Sequence, residues 1–239
     1  MSLISQRNIR ARNMLASTVP WLWEAVDRVR FCSGLLSRFE RVGFCAPLPY
    51  RLKRGILQYA SDRLGLSALV ETGTYLGDTP WYFRRKFQSI DTIEVSEVLM
   101  NEAARRFRRW PNVRVHLGDS TEVLPRIVPG LRCPTLFWLD GHFDKGITGS
   151  GVLECPIYAE LECIFASAKV RWAVLIDDAR NFGRAKDYPS LDQLHAFVKA
   201  RLPQYSMWVE NDIIWIVPMS GLDSLSSRAT GLPNLNTAH

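Results

Sequence analysis

The chain predicts an α/β fold in which a mostly parallel, seven-stranded sheet ends in an antiparallel hairpin. Three observations carry this expectation. From Leu66 onward, short runs that are apolar throughout alternate with amphipathic helical stretches, as in a sheet covered on both faces. The last two runs are separated only by Asn211-Asp212. Strands joined so tightly must be antiparallel, because a parallel return needs a crossover of about a dozen residues. The first run closes on Glu71-Thr72-Gly73-Thr74-Tyr75-Leu76-Gly77-Asp78-Thr79, a glycine turn that opens into a helix.

Taken in order, residues 1–62 read as a basic helical extension, broken by Pro20, Pro47 and Pro49. Its apolar face (Trp21, Leu22, Trp23, Val26, Val29, Phe31) suits packing on the core, a substrate wall or a membrane surface. Residues 63–219 form the α/β domain. Its strands are expected at 67–71, 91–95, 113–117, 135–140 and 172–177, with helices at 79–87, 97–109, 120–127 and 156–167. The hairpin strands follow at 205–210 and 213–217. Residues 220–239 are rich in Ser, Gly, Asn and Thr without periodicity, which predicts a flexible tail.

Composition narrows the class. Hydrophobic content of 47% and charged content of 23% are those of a soluble globular protein. No apolar run approaches the ~18 residues that span a bilayer, and the N-terminus lacks the apolar core of a signal peptide. The five cysteines include no C-x-x-C pair and read as reduced thiols, so a cytoplasmic location is expected. The net charge of +6 raises the question of nucleic acid. Its arginines and lysines, Lys53 and Arg54 among them, fall mostly at helical spacing among apolar residues, as on solvated helix faces, and no RNA-binding signature accompanies them.

The glycine turn is the chemical signature. Glu94, which ends the second run, follows Gly73 by 21 residues. That spacing matches the roughly 20 residues that place an acid over a ribose diol, so the expected ligand carries adenosine. Gly73, without a Cβ, lets backbone and ligand come close. A dinucleotide site would want glycine at Thr74 and no acid at the helix start, where Asp78 stands. Glu71 would likewise repel phosphate but suits a ligand with an ammonium and a sulfonium. The turn is similar to motif I of class I S-adenosylmethionine-dependent methyltransferases, and a sheet that ends in a hairpin separates that fold from the all-parallel dinucleotide fold. The resemblance implies a Rossmann-like methyltransferase fold. It implies S-adenosylmethionine on Glu71, Thr72, Gly73, Thr74, Tyr75, Gly77, Thr79, Glu94, Asp119, Ser120 and Asp140.

Ligands of doubly wound sheets bind outside the carboxyl ends of the strands, and five of these runs end at acids: Glu71, Glu94, Asp119, Asp140 and Asp177-Asp178. Asp119 also suits a helix N-cap, with Ser120 sharing the capping. The resembling family uses an acid there to hold the adenine amino group. Asp140, Asp177 and Asp178 stand together at neighbouring strand ends, where carboxylates can bind Mg²⁺. His142 is the best general base of the four histidines, with a structural loop histidine as the alternative. Asp140, His142 and Asp178 are therefore the catalytic candidates. His116 reads into a strand and His195 into a helix.

More narrowly, Phe137-Trp138-Leu139-Asp140-Gly141-His142, Glu154-Cys155-Pro156-Ile157-Tyr158-Ala159-Glu160-Leu161 and Leu175-Ile176-Asp177-Asp178-Ala179-Arg180 resemble a bacterial group often found among sugar and secondary-metabolite genes. That group is similar to macrocin-type sugar O-methyltransferases, in which aspartates matching Asp140, Asp177 and Asp178 ligate Mg²⁺. The chain departs from that type at His142 and in the glycine-rich residues 143–153, which read as a lid or substrate loop. The resemblance implies methylation of a sugar or small-molecule hydroxyl, Mg²⁺-assisted in that type. A homodimer is compatible with it. The alternatives are an RNA methyltransferase using the basic N-terminal helices and a non-catalytic binding protein on the same fold.

Overall fold

The structure, a computed structural model, describes residues 48–141, 156–185 and 188–226. Helix α1 (Tyr50–Arg63) leads into β1 (Ala68–Thr72), α2 (Asp78–Phe83), β2 (Ser89–Glu94), α3 (Glu97–Phe107), β3 (Val113–Leu117) and α4 (Ser120–Ile127). Then come β4 (Thr135–Leu139), α5 (Ile157–Ser167), β5 (Trp172–Ile176), α6 (Leu191–Arg201), β6 (Tyr205–Glu210), β7 (Ile213–Pro218) and the short α7 (Leu222–Ser226). One seven-stranded sheet runs in the order β3-β2-β1-β4-β5-β7-β6, parallel except where β7 pairs with β5 and β6. The expected class is the observed one.

Strand alternation divides the core in two. Val70, Phe137, Leu139, Val174, Ile176, Ile214 and Ile216 meet α4, α5 and α6 on one face. Their neighbours Leu69, Leu136, Trp138, Ala173, Leu175, Trp215 and Val217 meet α1, α2 and α3 on the other. Each such Leu, Ile, Val or Phe contributes about 1.5–3 kcal/mol by leaving water, which makes a sheet apolar on both faces stable only with helices on both. The hairpin turns at Asn211 (φ 53°) and Asp212 (φ 58°), both left-handed as a two-residue turn requires.

Three readings of the sequence shift. The second helix is cut to Asp78–Phe83, and Phe87 closes a loose further turn on the Phe83 carbonyl at 3.2 Å. Helix α1, the last stretch of the expected extension, packs one face on the sheet. Its residues Ile56, Leu57 and Ala60 are buried in the core, at the spacing of a helix laid flat on a sheet. At the other end, Tyr59 donates from its hydroxyl to the Leu225 carbonyl, so α7 rests on α1. Residues 1–47 of the extension, and with them the Trp21–Phe31 face, lie outside the described residues, as do 227–239. No described helix is long and apolar enough to cross a membrane. Cys133 and Cys163 are free, partly exposed thiols.

Strand order reverses between β1 and β4: the chain moves outward through β2 and β3, then returns to the other side of β1. Such a switch point opens a crevice at the carboxyl ends of the strands.

Candidate functional site

The crevice is built on the turn after β1. The ladder runs past the strand ends, with Gly73 and Thr74 donating to Ile93 O at 3.0 and 2.9 Å and Asp140 donating to Thr72 O at 3.1 Å. Gly73 (φ 90°) is packed so closely that a Cβ would stand 2.6 Å from the Asp140 carbonyl oxygen. The glycine therefore answers first to the neighbouring strand end, where the sequence suggested a ligand. Tyr75 (φ 48°) and Gly77 (φ 73°) turn the chain into α2.

Glu94 brackets this turn. It is 3% exposed, and it accepts the Tyr75 N–H at 2.7 Å on Oε2 and the Ser96 N–H at 2.9 Å on Oε1. Burial raises its pKa, and these backbone donors hold part of the rise back. A carboxylate has about four lone-pair sites. The Tyr75, Ser96 and Val95 N–H groups take three of them, and the one that remains is open to a ribose hydroxyl.

Glu71 lies deeper, 1% exposed. It accepts the Thr92 hydroxyl at 2.6 Å, and Thr92 in turn shares a 2.6 Å bond with Thr74. Thr79, on the first turn of α2, bonds Glu71 and accepts from the Tyr50 hydroxyl at 3.0 Å. Burial pushes Glu71 up to about 8; the Thr92 and Thr79 hydroxyls oppose this, and Glu94 and Asp78 add to it. Asp78, the acid at the helix start, pairs at 2.9 Å with Arg106 of α3.

Asp119 is the N-cap that the sequence predicts, accepting the Thr121 N–H at 2.9 Å. Ser120 does not share that cap. Its hydroxyl serves Glu160 of α5, which is 2% exposed and pushed up to about 7 by burial, while the Ser120 and Thr72 hydroxyls offset part of the rise. His116 of the edge strand β3 bonds Asp91 of its neighbour β2 at 2.8 Å beside Arg114, a structural role.

At the ends of β4 and β5 the expected aspartates do converge, but on a lysine. Lys53 of α1 donates to Asp177 Oδ2 and stands 3.7 Å from Asp178 Oδ1. Asp177 is fully buried and accepts the Asp178 N–H at 2.8 Å on its other oxygen. Asp178, held at φ 57°, pairs with Arg180 at 2.9 Å, and Arg180 also binds Asp212. Asp140 keeps partial exposure as a residue, yet burial of its carboxyl and the charge of Asp177 raise its pKa well above the carboxylate range, against the pull of Lys53. Asp177 shares a side-chain hydrogen bond with Asp140, and its own carboxyl is also pushed up, first by burial. Burial pulls Lys53 down, but Asp177, Asp140 and Asp178 outweigh it and raise its pKa.

Mg²⁺ takes oxygen ligands at about 2.0–2.1 Å and keeps several waters. Here both oxygens of Asp177 are engaged, Asp178 is paired, and an ammonium sits among them. Among the described residues, no three His, Cys, Asp or Glu side chains are grouped to hold a metal ion. The donor set does not fit Mg²⁺. His142 and the glycine-rich residues 143–153 lie outside the described residues.

Lys53 and Glu160 are the residues that sequence reasoning missed. Lys53 counted among solvated basic faces, yet its side chain is only 14% exposed. The available signal was its spacing: three residues after Tyr50 and four before Leu57, it shares the inward stripe of α1.

No protein-family model and no curated protein matches the chain. Solved structures do. A putative caffeoyl-CoA O-methyltransferase from Staphylococcus aureus aligns at TM-score 0.52 and 13% identity, covering 82% of this chain and 97% of that one. An O-methyltransferase from Bacillus cereus, in complex with S-adenosylhomocysteine, aligns at 0.51 and 17%, over 81% and 97%. The O-methyltransferase TomG from Streptomyces achromogenes, involved in tomaymycin synthesis and bound to S-adenosylmethionine, aligns at 0.50 and 17%, over 75% and 83%. With the hairpin-ended sheet, the glycine turn at its switch point and these likenesses together, the chain has the fold of the class I S-adenosylmethionine-dependent methyltransferases.

Proposed function

We propose that the protein is an S-adenosylmethionine-dependent O-methyltransferase acting on a small molecule, with a sugar hydroxyl as the first acceptor class to try. One observation carries the reading: at the β1/β4 switch point, Glu94 is fixed by three backbone donors with a lone pair to spare, across a glycine turn from the buried Glu71. That is an acceptor for a ribose diol beside an acid that gains from a cation, and the sulfonium cofactor offers both. The O-methyltransferases that share the fold support oxygen as the acceptor atom.

In this reading Glu94 holds the ribose, Asp119 the adenine amino group, and the turn from Thr72 to Thr79, with Ser120 and Asp140 at the neighbouring strand ends, surrounds the cofactor. Glu71 faces its cationic half. When bound, the cofactor would supply an activated methyl group for an acceptor oxygen, with its sulfur as a neutral thioether leaving group. The hydroxyl proton goes to a base, for which His142 is the residue that the sequence offers. No step is assigned to Mg²⁺.

Titration calorimetry with S-adenosylmethionine tests the cofactor. Wild type should bind, and Glu94→Ala should lose about 1.5–3 kcal/mol, roughly ten- to a hundredfold in affinity. A wild type that binds nothing, or a folded variant with unchanged affinity, removes the reading. A panel of sugars and hydroxylated small molecules, read by release of S-adenosylhomocysteine, then finds the acceptor.

A further inference from the structure

We infer that Lys53 takes the place of a divalent cation at the Asp140–Asp177–Asp178 cluster, supplying a built-in positive charge beside the reacting atoms. The inference rests on the methyltransferase reading for its purpose, but not for its geometry.

Three carboxyl groups gathered at neighbouring strand ends need positive charge or protons to coexist. A bound cation is one solution, and it needs free carboxylate oxygens. Asp177, fully buried, already gives each oxygen to a donor: Lys53 holds Oδ2, with its positive charge against it, and the Asp178 N–H holds Oδ1. Asp178 is taken by Arg180 at 2.9 Å and approached by Lys53 at 3.7 Å. An ion among these oxygens would have to displace the ammonium or sit against it.

Lys53 is also not a side chain that swings in by chance. It stands on the first turn of α1, where its own N–H donates to Pro49 O at 3.1 Å, and the helix is locked by the burial of Ile56, Leu57 and Ala60. Its aliphatic stem is covered, and its head reaches from α1 across to β5. An ammonium has three donors. With one donor on Asp177 and Asp178 at 3.7 Å, outside hydrogen-bond distance, Lys53 keeps N–H groups for an oxygen of the methyl acceptor, which gains negative charge as its proton leaves. A fixed cation aimed there stabilises that charge without reorganisation. The lysine would thus do with one charge what a metal does with two.

The test is metal binding itself, read by the electron paramagnetic resonance signal of free Mn²⁺. Wild type should leave the signal untouched. Lys53→Met should gain a site by removing one unit charge at contact distance, with Mn²⁺ held about ten- to a hundredfold more tightly than by wild type. Adding Asp177→Asn should abolish that site. A wild type that binds one equivalent of Mn²⁺ and loses it on Asp177→Asn overturns the inference, and this arm decides even where Lys53→Met does not fold. Calorimetry with S-adenosylmethionine on the same preparations separates the two claims. A protein that binds neither Mn²⁺ nor cofactor keeps the built-in cation and loses the proposed function; one that binds both does the reverse.

Discussion

Glu71 and Glu160 are acids held where their charge is poorly solvated, and that makes stability depend on pH. Their ordinary value is 4.5; in the fold they titrate at about 8 and about 7, both raised first by burial. Below pH 4.5 the folded and unfolded chains both hold these protons, and the stabilising contribution is complete. Above it the unfolded chain sheds protons that the fold retains, so stability falls until the folded groups ionise. At about 1.4 kcal/mol per pH unit, the loss from Glu71 alone reaches a few kcal/mol by pH 8. Glu71→Gln should therefore raise the unfolding free energy at pH 8 by about 1–3 kcal/mol and give no gain near pH 4.5. Urea unfolding at the two pH values checks this, and an equal effect at both would deny the burial account. Little of this was legible in the sequence. Glu71 was visible as an acid before a glycine, but its depth beneath Thr79 and Tyr50 comes from α1 packing across the strand end.

Among the elements, the junction of β1 with β4 is tightly constrained. Gly73 combines φ 90° with a neighbouring carbonyl that a Cβ would meet at 2.6 Å. Gly73→Ala should cost at least about 1–3 kcal/mol from backbone strain alone, with the clash added. Gly55→Ala is the opposite case. Gly55 lies inside α1 with nothing within 4 Å of its Cβ position, so alanine there should stabilise by about 0.5–1 kcal/mol. Denaturation midpoints of the two variants should move in opposite directions; a neutral Gly73→Ala would mean that the turn can relax away from β4. The glycine itself was plain in the sequence, as was the strand before it. Its reason was not, because the nearest atom belongs to a residue 67 positions later.

At the scale of the whole molecule, α1 and α7 close one face of the sheet and bring the two ends of the described chain together. Residues 220–239 read as a tail by composition, but Leu222 and Leu225 are half-buried against the core, and Tyr59 bonds the Leu225 carbonyl. Removing everything after Ser220 should therefore cost about 2 kcal/mol, from one hydrogen bond and two partly buried leucines, which corresponds to about 4–8 °C in melting temperature for a chain of this size. Removing only the residues after Ser226 should leave it unchanged. Thermal denaturation of the two truncations decides, and equal melting temperatures would make the α1–α7 contact energetically idle.

Local pattern carried the architecture. Short runs that are apolar throughout, helices between them and a two-residue turn at Asn211-Asp212 are statements about neighbours in the chain, and such signals survive without a tertiary structure. They were enough to place β3, α4 and β6 at their observed limits, and to put five acids at the carboxyl ends of parallel strands or just beyond them. What surrounds those acids was decided by packing. Asp177 meets Lys53 across 124 positions, and Ser120 turns to Glu160. In both cases the partner comes from an element whose position depends on which face of the sheet it covers. The charge of the site is therefore a property of the assembled layers, where a buried carboxylate takes whichever donor the neighbouring helix brings within reach.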